Sequence, residues 1–67
     1  MIFQLKGENI KLGQLLKACS LVDSGAMAKD LIQAGDVKVN GQVCTQRGHK
    51  IVRGDKVELD SQTVEIE

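Results

Sequence analysis

The sequence predicts an α+β fold, a pair of helices laid against a small, mainly antiparallel β-sheet. Three observations predict it. Apolar residues recur at helical spacing between Ile10 and Ile32, the period switches from 3.6 to 2 at Asp36, and Asn40-Gly41 interrupts the alternating stretch with a hairpin turn signal. No repeat, linker or low-complexity stretch divides the chain, so residues 1–67 are expected to form one domain.

Ile2-Phe3-Gln4-Leu5 is a short apolar run that stops at Lys6-Gly7-Glu8-Asn9, which reads as an edge strand and a turn. Ile10, Leu12, Leu15, Leu16 and Cys19 follow near helical spacing and predict a short amphipathic helix over about Lys11–Cys19. Gly13 weakens that helix by up to ~1 kcal/mol relative to Ala.

A second helix is expected over Ser24–Ala34. Ser24 is its N-cap, Ala28, Leu31 and Ile32 share one face, and Gly35 ends it. Asp36-Val37-Lys38-Val39 and Gln42-Val43-Cys44-Thr45 alternate on either side of Asn40-Gly41, the residue pair that suits a type I′ turn. Gln46-Arg47-Gly48-His49-Lys50 is polar and basic and reads as a loop or as a continuation of the hairpin into solvent, and Ile51-Val52 returns to the core. Lys56–Leu59 and Thr63–Ile66 alternate again, making the last third β.

At 67 residues the core must be thin, because a chain of this size buries only about 60% of the surface it exposes when unfolded. Apolar residues at 42% and charged residues at 27% are nevertheless globular rather than disordered composition. Two cysteines are too few for a disulfide framework and no apolar leader is visible, so a reducing cytoplasm is expected and no membrane association. Phe3 is the lone aromatic, which argues against the base-stacking sheets of single-strand binders.

Catalytic chemistry finds no footing. There is one His, no nucleophile beside a base and no Gly-rich phosphate loop, so neither an enzyme nor a small-molecule substrate is expected. Cys19, Cys44 and His49 lack the close pairing of a structural zinc site, so no metal or other cofactor is expected; both cysteines read as ordinary thiols.

Charge is what remains. Formal net charge is zero, yet Lys11–Lys56 holds eight basic and four acidic residues while Glu58, Asp60, Glu65 and Glu67 make the end acidic. On this reading the molecule is dipolar, and an acidic tail repels nucleic acid from its far face. Lys29 lies in the second turn of the Ser24-capped helix, where free backbone N–H groups and the helix dipole favour an anion. Gly25 allows a phosphate to approach the backbone. Lys38 on the hairpin and Arg47, His49 and Lys50 in the following loop extend this set toward a nucleic-acid backbone.

The stretch from Ser24 through Val39-Asn40-Gly41, continued by Arg47-Gly48-His49-Lys50 and Gly54-Asp55-Lys56-Val57, resembles the ribosomal-protein-S-four-type RNA-binding domain. Leu12-Gly13-Gln14-Leu15-Leu16-Lys17 resembles that of its small stand-alone bacterial members, the YbcJ-like family. The resemblance covers about residues 10–59. It implies an αL motif, two antiparallel helices with a β-ribbon, whose basic residues contact structured RNA such as rRNA. By similarity those contacts fall on Lys29, Lys38, Arg47 and Lys50, with Ser24 and Gly25 at the helix start. Gly25 stands where the larger family often has Arg, and the loop is less basic than in many stand-alone members. Fewer released counterions then make binding weak and salt-sensitive. The competing reading, from the same charge pattern, is an adaptor that docks an acidic protein partner.

Overall fold

A computed structural model describes all 67 residues. Fourteen buried residues, all apolar, form one cluster fed by both helices and every longer strand. Leu12, Leu15 and Leu16 come from α1 (Leu12–Ala18), and Ala28 and Ile32 from α2 (Gly25–Gln33). These positions recur at three- and four-residue spacing and so line one face of each helix. The two helices pack on one another above a mainly antiparallel sheet.

Seven strands complete the chain: β1 (Ile2–Phe3), β2 (Ile10–Lys11), β3 (Val37–Val39), β4 (Gln42–Val43), β5 (Lys50–Ile51), β6 (Lys56–Leu59) and β7 (Gln62–Ile66). Five of them form a sheet of order β1-β7-β6-β3-β4, antiparallel except where β1 runs parallel to β7. Val37, Val39, Val57, Leu59, Val64 and Ile66 alternate into the core, as a half-buried sheet requires. The remaining strands, β2 and β5, make a separate antiparallel ribbon with Ile10 opposite Ile51 and Lys11 opposite Lys50.

Both helices end in the same way. In α2 the N–H of Gly35, at φ +84°, bonds the carbonyl of Ile32, and that of Asp36 bonds Leu31, the paired bonds of a Schellman motif. In α1 the corresponding bonds run from Ser20 to Lys17 and from Leu21 to Leu16, with Ser20 itself at φ 61°.

Ser24 caps α2 as expected, its hydroxyl accepting from the Met27 N–H at 3.2 Å. The Asn40-Gly41 turn is also as expected, with both residues at positive φ.

Three sequence expectations change. β4 ends at Val43; Cys44 keeps one bond to β3, its N–H donating to the Val37 carbonyl at 3.0 Å, and beyond it the chain leaves the sheet edge and crosses to α1. Ile10 and Lys11 belong to the ribbon rather than to the helix, Lys11 serving as the N-cap residue of α1. The acidic end is no tail. Glu58 and Glu65 lie in β6 and β7 and Asp60 in the turn between them, and removing everything beyond Leu59 would take out the strand between β1 and β6. On the outer face Glu58 lies opposite Lys38, and Glu65 lies opposite Lys56 with 3.8 Å between Nζ and Oε1. The dipole expected from the linear charge blocks is therefore partly cancelled by pairing across strands.

Candidate nucleic-acid interface

The segment after β4 is fixed by the start of α1. The N–H groups of Leu12 and Gly13, which have no partner within the helix, donate to the carbonyls of His49 and Arg47 at 2.9 and 3.0 Å. This clamp lays the 46–49 loop along the helix. A Cβ added at Gly13 would lie 3.5 Å from the Arg47 Cβ, in ordinary van der Waals contact, which shows how closely the loop follows the helix.

Between them opens a cleft of about 420 Å³, lined by Lys11, Gln14, Lys17, Gly25 and Arg47 with Gly13 and Gly48. Three cations and no carboxylate line it. Its Gly25 wall is the first turn of α2, where the dipole adds to the positive field. Lys29 is exposed one turn further along, four residues from Gly25 and hence on the same helix face. Lys50 stands directly across the ribbon from Lys11.

The residues singled out in the sequence thus divide. Gly25 and Arg47 meet in the cleft, with Ser24 capping the helix beside them, Lys29 on the same side of α2 and Lys50 beside Lys11 across the ribbon. His49 lines a different groove, against the β3–β4 hairpin. Lys38 is on the outer face of the five-stranded sheet beside Glu58, apart from the cleft.

Lys11, Gln14 and Lys17 were not singled out. Their signal is present in the sequence, since a spacing of three from the N-cap Lys11 through Gln14 and Lys17 of α1 opposes Leu12, Leu15 and Leu16 and makes one polar stripe.

Other basic and sulfur-bearing groups have structural roles. The Arg53 guanidinium donates to the Leu5 carbonyl at 2.7 Å and ties the loop after β5 to the end of the first strand segment. Cys19 and Cys44 are half-buried free thiols packed against the core, and burial pushes the Cys19 thiol above its ordinary pKa. No three His, Cys, Asp or Glu side chains are grouped to hold a metal ion. No helix is long and apolar enough to cross a membrane.

Residues 3–67 match the family model described as the S4 domain. The chain belongs to the S4 domain family. The solution structure of YbcJ from Escherichia coli, described as revealing an αL motif involved in RNA-binding, superposes on this S4 domain with a TM-score of 0.74. That superposition is at 39% identity and covers 97% of this chain and 84% of the other. The probable ribosome maturation protein RlbA of Bacillus subtilis is 42% identical over 53 residues, 79% of this chain and 75% of RlbA. A third relative is an enzyme, the ribosomal large subunit pseudouridine synthase B of B. subtilis, 44% identical over 46 residues. Those residues are 69% of this S4 domain but 19% of the synthase, so the likeness is confined to a small part of the enzyme.

Proposed function

We propose that residues 1–67 act as one non-catalytic domain that binds structured RNA, with rRNA in a ribosome-associated, cytoplasmic setting as its natural partner. The observation that carries this reading is the convergence of Lys11, Lys17 and Arg47 with the start of α2 on a cleft that has no acidic wall. Such a cleft suits backbone phosphate, and the extended set of Ser24, Gly25, Lys29 and Lys50 lengthens the track along which a folded strand can run. Lys38 contributes little, because Glu58 opposite offsets its charge. YbcJ and RlbA, which this chain matches over most of their lengths, support RNA and the ribosome as the context.

Recognition in the cleft is of backbone and shape. Without exposed aromatic rings the domain has no stacking platform, and a handful of cations provides modest, salt-dependent affinity. The test is Lys17→Ala with Arg47→Ala. Both side chains line the cleft and make no hydrogen bond or ion pair within the protein, so the double variant should fold normally and lose about tenfold or more in affinity for an RNA hairpin. Wild-type affinity in the folded double variant would place the interface elsewhere.

A further inference from the structure

The 46–49 loop has two sides. Arg47 and Gly48 belong to the cationic cleft, while Gln46 and His49 line a second, open groove of about 550 Å³ against the β3–β4 hairpin. The two cavities differ in chemistry. The cleft offers three cations, whereas the groove contains no Lys, Arg, Asp or Glu; the residues along it include Gln42, Thr45, Gln46 and His49.

Two amides, a hydroxyl and an imidazole provide both donors and acceptors, and none of these side chains makes a hydrogen bond within the protein. Val39, directly across the ladder from Gln42, is the apolar residue on that side of the strands. The groove is also held in shape. Asn40 at its rim is tied to Asp55 and the Lys56 N–H, and the Cys44 thiol donates to the Gln46 carbonyl at 3.7 Å.

A groove with no Lys or Arg lacks the fixed positive charge that draws phosphate into the cleft. It suits a planar group whose edge mixes donors and acceptors, the description of a nucleobase turned out of its helix. We infer that the groove lined by Gln42, Gln46 and His49 takes an unpaired base of the RNA whose backbone occupies the neighbouring cleft. The inference rests on the RNA-binding reading and adds to it a preference, for duplexes carrying a bulged or flipped nucleotide over perfectly paired ones. The shared loop provides the link. A strand crossing it presents phosphate to Arg47 on one side and a base to Gln46 and His49 on the other.

The experiment compares a blunt RNA duplex with the same duplex carrying one bulged nucleotide, titrated with the wild-type chain and with Gln42→Ala/Gln46→Ala. The wild type is expected to prefer the bulged duplex by about fivefold or more, the low end for one hydrogen-bonded base contact. The double variant is expected to bind both duplexes equally, with unchanged affinity and salt dependence on the blunt one. In the wild type, the side-chain amide NMR signals of Gln42 and Gln46 should shift with the bulged duplex and stay in place with the blunt one, a readout that needs no variant. Equal binding of the two duplexes by the wild type, or a preference that survives the double substitution, overturns base reading and leaves the phosphate cleft standing. Binding to neither duplex at low salt overturns the RNA reading and this inference together.

Discussion

The side-chain amide of Asn40 donates to the Asp55 carboxylate at 3.0 Å, joining the β3–β4 turn to the turn before β6. The same amide accepts from the Lys56 N–H through its oxygen at 2.9 Å, and the backbone N–H of Asn40 reaches the Lys56 carbonyl at 2.8 Å. Asp55 in turn accepts from the Val52 N–H at 2.9 Å. Asn40 therefore does two jobs, holding a positive φ in the turn and binding that turn to the centre of the sheet.

Substitution separates the two. Asn40→Gly keeps the turn conformation and loses the amide bonds, which should cost about 1–2 kcal/mol for two exposed hydrogen bonds and the added freedom of glycine. Asn40→Ala adds the left-handed penalty and should cost about 1 kcal/mol more. Urea unfolding of the two variants measures the difference; equal losses would mean that the turn conformation is not what the asparagine maintains.

Ser20 predicts a gain instead. It occupies the left-handed position of a Schellman motif at φ 61°, where glycine is favoured, and its side chain makes no hydrogen bond. Ser20→Gly should raise stability by about 0.5–1 kcal/mol, seen as a higher urea midpoint at unchanged slope. A lower midpoint would show that the serine side chain contributes more than its backbone costs.

Lys11 and Lys50 are direct partners across a ribbon only two residues long on each strand. Like charges in that relation are destabilising, and an anion bound between them relieves the repulsion. Lys50→Gln should raise stability by a few tenths of a kcal/mol at low salt, with the gain fading as salt screens the pair. The same substitution should weaken hairpin binding. Thermal melts at two salt concentrations beside RNA titrations test the opposition, and a variant that is both less stable and equally tight would refute it.

How much the sequence discloses follows from where each signal lies. The second helix and the Asn40-Gly41 hairpin are legible because cap, period and turn residues are adjacent in the chain. The end of α1 is marked by Ser20, which carries no glycine to announce its backbone conformation. The β2–β5 ribbon pairs Ile10 with Ile51 across forty intervening residues, and two-residue strands have no period of their own.

The site divides for the same reason. Arg47 and Gly25 stand out in the sequence, but only folding shows that Lys11 and Lys17 join them and that Lys38 turns to Glu58 on another face. The acidic residues after Val57 look like a tail when read along the chain. Two of the four, Glu58 and Glu65, are paired across strands with Lys38 and Lys56 and belong to the sheet.

The central claim is that a few cations in one cleft hold RNA phosphate. Its most direct test is a titration of the wild-type chain with a structured RNA hairpin and an unstructured strand at several salt concentrations. The hairpin should bind more tightly, and log K should fall against log salt with a slope of about −2 to −4, as expected for three or four released counterions. No binding of either RNA at low salt, or hairpin binding that ignores salt, would contradict the claim. A protein partner retained through nuclease treatment would then favour the adaptor.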